Sequence, residues 1–257
     1  MFPINPILSI FLTTCYCFGF FSENSLTASP LESFPIEIQN QLKPFLMNDS
    51  HPIKRKLDKL FKKTRVTESP ETFSKAGFGK PHLRKPTNIV IGKHKDFKGY
   101  IFKVYLDSQP ELCDWALWIS RIKGSLAIQS CIRRHGFQHF AVPKKWIYLL
   151  PTNCVSHGPN PKTSILIVED MNILDSKSNL DAFKTKMTPK ILRELYTIIS
   201  EECLIDSVFP DNIPFTKRGR IAFIDTEHYH CNQPIPYMKL TKYLSTSLQK
   251  IWVDLSK

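Results

Sequence analysis

The residues best suited to chemistry are Asn212 and Asp225, which bracket the run Asn-Ile-Pro-Phe-Thr-Lys-Arg-Gly-Arg-Ile-Ala-Phe-Ile-Asp. Ile213–Phe215 and Ile221–Ile224 are two β-prone stretches joined by a Lys-Arg-Gly turn, the pattern of a hairpin. Asn212 then stands just before one strand and Asp225 just after the other, so both side chains emerge on one edge. An amide oxygen and a carboxylate so disposed can hold a Mg²⁺ ion bound to phosphates.

Several elements lead up to this hairpin. Gly99–Asp107 (GYIFKVYLD) is a strand pattern with Lys103 at its middle. After it, Ser108 suits a helix cap and Pro110 a first turn, and Trp115, Trp118, Ile119 and Ile122 recur at helical spacing. A second helical pattern runs through Leu126, Ala127, Cys131 and Ile132 to a stop at His135-Gly136. Phe140–Leu150 and Ser164–Val168 read as two strands, followed by the connector Glu169-Asp170-Met171. Thr188-Pro189 opens a helix with Ile191, Leu192, Leu195, Tyr196, Ile198 and Ile199 on one broad face, and this helix runs into Ile205-Asp206. Pro234–Lys257 reads as roughly one closing helix.

Strand with a lysine, helix, two strands, connector, helix, loop, then a hairpin flanked by Asn and Asp: this order resembles the protein-kinase-like superfamily over residues 87–257. It is similar to bacterial kinase-like proteins whose hairpin ends in Ile-Asp-Thr-Glu, here Ile224–Glu227. The resemblance implies an α+β fold, protein-kinase-like, with a small sheet-containing lobe and a reduced, mostly helical lobe. It implies ATP and Mg²⁺ as cofactors, with Lys103 on the phosphates and Asn212 and Asp225 on the metal. Asp206 or Asp211 would orient an acceptor hydroxyl.

The departures from that pattern are specific. Asn88–Lys98 holds a single glycine, Gly92, where a phosphate loop needs several, although Lys93, Lys95 and Lys98 could bind phosphate by charge. Ser207 occupies the position of the catalytic base, with Asp206 one residue further away. Glu111 comes too early in the helix to pair with Lys103. About 30 residues follow Asp225, too few for a peptide-substrate platform. The expected function is therefore a pseudokinase acting as a binding or regulatory module. A Mg-ATP phosphotransferase acting on a small molecule or lipid is one alternative, and a secreted interaction protein unrelated to kinases is another. Glu227 suits a metal ligand or a partner for a basic residue. The His-Tyr-His-Cys run at 228–231 has no second ligand pair at zinc spacing and reads as a surface loop.

Composition sets the wider frame. A chain of 257 residues with 42% hydrophobic content can bury a sizeable core. Its net charge of +12 is concentrated between Lys54 and Lys95, where thirteen basic residues face three acids. That stretch is rich in Pro, Ser and Thr and reads as a basic, partly flexible arm within residues 30–86. Inside it, Pro52–Arg65 forms an amphipathic helix pattern with Ile53, Leu57, Leu60 and Phe61 on one face. Its lysines suit a solvated face on a docked helix, or an acidic protein or anionic membrane reached through Lys54–Arg65. Nucleic acid is the least supported partner, because no aromatic residues interleave the charges. Residues 1–29 read as an export signal and residues 6–21 alternatively as a membrane anchor, although no basic residue precedes the apolar run. The five cysteines beyond it, at 113, 131, 154, 203 and 231, show no paired spacing and do not form a disulfide framework.

Overall fold

The computed structural model describes residues 29–79, 81–84, 89–110, 112–152 and 155–257. The chain begins with α1 (Ile36–Leu42), then α2 (Lys54–Phe61) and the single turn α3 (Pro70–Phe73), which continues into a wide turn, Ser74–Phe78. Three strands follow: β1 (His82–Arg84), β2 (Ile89–Gly92) and β3 (Tyr100–Val104). Helix α4 (Asp114–His135) leads to β4 (Phe140–Ala141), β5 (Lys145–Leu149) and β6 (Ser164–Glu169). Helices α5 (Ser176–Thr185) and α6 (Pro189–Glu201) precede β7 (Ile221–Ala222), and α7 (Met238–Thr241) and α8 (Thr246–Leu255) close the chain. The fold is mixed α and β, built on one antiparallel sheet in the order β1-β2-β3-β6-β5 and a short parallel pair of β4 with β7.

Side chains alternate across the sheet because the strand period is two. Phe102, Val104, Tyr148, Ile165 and Ile167 face α2, α3 and the wide turn. Ile147, Leu166 and Val168 face α4, where Trp115, Trp118, Ile119 and Ile122 cover them. A third core joins α5, α6, the hairpin and α8, and α4 reaches it with Ile128 and Cys131. Helix α4 is therefore buried on more than one side, as an axle between cores must be.

Three sequence expectations change. The stretch read as a flexible arm is packed: Leu57, Phe61, Val66, Phe73 and Phe78 are buried against the sheet. Its aromatic residues are few but large: Phe78 stacks on Phe73 and meets Phe102 of the sheet edge-on. The long helix starts at Asp114 rather than near Ser108, and runs unbroken to Gly136, which takes a left-handed conformation at φ 67°. Asp107 ends the preceding strand region by accepting from Arg65, Ser156 and the Lys162 backbone N–H. The C-terminal run forms two helices, separated where Ser245 adopts an extended conformation at the start of α8. Among the described residues no helix is long and apolar enough to cross a membrane. The apolar run at residues 6–21, with its export-signal and anchor readings, lies outside the described residues, as do Glu111 and Cys154.

Arg65 and Asp107 form a two-pronged ion pair that fastens this N-terminal segment to the sheet, with side chains 8% and 0% exposed. Removing one partner strands a buried charge. Asp107→Ala is expected to lower the unfolding free energy by about 3–5 kcal/mol. The Arg65→Met/Asp107→Leu double variant should lose less, and urea denaturation of both distinguishes pairing from side-chain volume.

Candidate functional site

The hairpin forms between Asn212 and Asp225. Thr216 N–H donates to the Arg220 carbonyl at 2.7 Å, Ala222 N–H to Pro214 at 2.8 Å and Ile224 N–H to Asn212 at 3.0 Å. Gly219 supplies the turn at φ 83°. The hairpin is braced from outside because β7 pairs with β4, immediately after α4. Asn212 is buried, and its Nδ2 donates to the Asp206 carbonyl at 2.9 Å, closing the loop between them. Asp206 is thereby held beside Asn212 and faces His228, with Nε2 at 3.5 Å. Asp211 is exposed.

Past the hairpin, Asp225-Thr226-Glu227 lies along α4. Arg121, buried on α4, donates one guanidinium nitrogen to Asp225 and another to Glu227. Burial alone would lower the guanidinium pKa, but the two carboxylates more than offset it and hold it above its ordinary value. One turn along the helix, Ser125 Oγ lies 3.1 Å from Thr226 Oγ1, which itself donates to the Arg121 carbonyl. Between them Gly124 leaves the room: a Cβ there would sit 1.9 Å from the Thr226 carbonyl oxygen. Arg121, Gly124 and Ser125 share one helix face because they are three and four residues apart.

The sheet contributes two lysines to the same face. Lys103 on β3 has the parity of Tyr105, and Lys145 on β5 has that of Ile147, so both point towards α4. Both are buried. Lys145 Nζ donates to Thr226 Oγ1 at 2.6 Å and to the Arg121 carbonyl at 3.3 Å. Its pKa falls well below the ordinary lysine value, first through burial and then through Lys103 and Arg121, against the pull of Asp225 and Glu227. With a neutral Lys145 amine, the positive charges of Lys103 and Arg121 match the two carboxylates.

Of the residues expected from sequence, Lys103, Asn212, Asp206 and Asp225 come to this region. Lys103 and Asp225 both lie within electrostatic reach of Lys145. Glu227 is a partner for a basic residue, Arg121. The 228–231 run is tied by its histidines to Asp206 and Glu202. Arg121, Gly124 and Lys145 were not anticipated. Their signal is weak but present: a charge set at a core-facing position of an apolar helix, a charge at an inward position of a strand, and a glycine in a helix interior.

Elsewhere, Cys131, His135 and Glu201 bring three ligand-type atoms within 4.8 Å of one another. Arg134 already pairs with Glu201, and burial, followed by Glu201 and Glu202, pushes the Cys131 thiol up to about 12. The Cys131 thiol and the Arg134 guanidinium both meet Glu201 and tie α4 to α6. Comparison of the chain with models of protein families found no match, and comparison with curated proteins found none either.

Two measurements check this geometry. A glycine-to-alanine change inside an ordinary helix stabilises by about 1 kcal/mol. Gly124→Ala should instead destabilise by roughly 1–3 kcal/mol or more, because backbone rather than a flexible side chain blocks the methyl. For Lys145, the unfolded side chain keeps its proton up to about 10.5 while the folded one has already lost it, so folding releases a proton. The stability of the wild type relative to Lys145→Met should therefore rise with pH up to that value; a flat difference in urea titrations between pH 7 and 10 would contradict a neutral amine.

Proposed function

We propose that the chain is a degenerate protein-kinase-like domain that acts as a binding or regulatory module rather than as a phosphotransferase. The order of strands, the helix between β3 and β5, and the hairpin following α6 support the kinase-like part of this reading. So does the gathering of Lys103, Asp206, Asn212 and Asp225 in one region.

The observation that carries the regulatory part is the engagement of Asp225 by Arg121. A Mg²⁺ ion at Asp225 would have to displace a buried guanidinium held by two carboxylates. Displacing it would cost the Asp225 contact and leave Glu227 as the guanidinium's remaining carboxylate. The chain also offers no glycine between β1 and β2, where residues 85–88 read Lys-Pro-Thr-Asn. Backbone cradling of a triphosphate has no support there. If ATP and Mg²⁺ were bound, Lys103 would meet phosphate, Asn212 and Asp225 would meet the metal, and Asp206 would be the group nearest an acceptor hydroxyl.

Thermal melting of the full chain with ATP, with and without Mg²⁺, tests the reading. A ligand that binds only the folded state raises the melting temperature once it exceeds its dissociation constant. The expected result is no Mg²⁺-dependent rise at millimolar nucleotide, in the wild type or in Asp225→Asn. A Mg²⁺-dependent rise in the wild type that disappears in Asp225→Asn would overturn the proposal in favour of the phosphotransferase.

A further inference from the structure

On the side of the sheet opposite α4, an open groove of about 900 Å³ lies between α2, the wide turn after α3 and the β2–β3 connection. Five lysines line it: Lys56 and Lys59 from α2, Lys75 from the wide turn, and Lys95 and Lys98 from the connection. Asp96 is the one carboxylate in the lining. All five lysines are exposed, and among the described residues none is within ion-pair distance of a carboxylate. Lys54, their neighbour, is by contrast paired with Asp58 and Asp49 and does not line the groove.

The floor of the groove is apolar and buried, made by Ile53, Ala76 and Phe97, with Leu60 half-buried. His94 is locked in place: Nε2 lies 3.0 Å from the Ala76 carbonyl, and Nδ1 accepts from the Asp96 N–H at 3.1 Å. Gly77, at φ 96°, passes so close that a Cβ would fall 2.5 Å from the imidazole. The turn carrying Lys75 and the connection carrying Lys95 and Lys98 are thus fixed to each other by this histidine.

We infer that this groove binds a compact, multiply phosphorylated anion of the inositol polyphosphate type, free or as a lipid headgroup. The lysines come from three separate segments and converge only in the folded chain, so they do not form a linear basic stripe. A concavity of 900 Å³ is roughly 10 Å across, close to the ~8 Å screening length at physiological salt, so its ammonium groups act on one ligand together. The volume is that of a small-molecule site. Lysines serve as point charges for phosphate, without the planar fork an arginine offers a carboxylate. The lining has no exposed aromatic side chain on which a nucleic-acid base could stack. Because the groove lies across the sheet from Arg121 and Asp225, the inference stands independently of any nucleotide site.

The test is calorimetric titration of the full chain with inositol hexakisphosphate, and sedimentation with phosphatidylcholine vesicles containing phosphatidylinositol 4,5-bisphosphate. The groove variant Lys56→Gln/Lys95→Gln/Lys98→Gln is compared with Lys177→Gln/Lys184→Gln/Lys186→Gln, which removes the same charge from the helical part. Saturable one-to-one binding should weaken about tenfold or more in the groove variant and stay within about twofold in the control. The groove variant should also melt at or above the wild-type temperature, since it relieves repulsion among unpaired cations. Vesicle binding that follows the same pattern assigns the source to a lipid; binding of the soluble ligand alone assigns it to a free metabolite. Equal weakening in both variants, equal competition by polyglutamate, or the lack of saturable binding would overturn the inference.

Discussion

The contact on which the rest of this structure depends is the strap of Asp225-Thr226-Glu227 laid against α4. Helix α4 packs both on the sheet and in the helical core, through Trp118 and Ile119 at one end and Ile128 and Cys131 at the other. The strap meets it between those two halves. Gly124 removes the side chain that would hold the backbone away, at the expense of helix propensity. Arg121 and Ser125, either side of that gap, then supply the polar partners that a buried strap requires.

A buried charge is tolerable when partners of opposite charge and hydrogen bonds offset its desolvation. Here two carboxylates face Arg121, and burial together with Lys103 and Arg121 presses Lys145 towards its neutral form. Its proton is the cheapest one to lose, because a guanidinium keeps its charge while an ammonium gives way under burial. The neutral amine still bonds Thr226 and the Arg121 carbonyl, so the strap keeps its anchors. The same arrangement that stabilises the junction occupies Asp225.

What the sequence disclosed divides by range. The hairpin from Asn212 to Asp225 was legible because its turn and its alternation are local. So was the end of α4, where Gly136 marks a left-handed stop, and the start of α6 at Thr188-Pro189, where the threonine side chain caps Ile191. The start of α4 misled, since Ser108 and Pro110 look like an opening while the chain around Asp107 is held by Arg65 and Lys162. Those partners stand 42 and 55 residues away. The basic segment misled for a related reason. Its composition is that of a linker, but Phe73 and Phe78 have a sheet face to cover, and a few large aromatic residues outweigh many polar ones in burial energy. Arg121 and Asp225 are 104 residues apart, and no periodicity connects them.

The two faces of the sheet therefore handle positive charge in opposite ways. On the α4 face, the buried guanidinium of Arg121 is held by two carboxylates, Asp225 and Glu227. On the α2 face, lysines surround a concavity and are left to solvent, although Lys54 nearby shows that pairing with aspartates was available to this helix. Unpaired like charges gathered around a hollow oppose folding slightly, through mutual repulsion. An anion in the hollow relieves that opposition. Electrostatics therefore favours an incoming phosphorylated ligand on the α2 face, where the lysines are open to solvent, over the Asp225 end, where the carboxylates already hold Arg121.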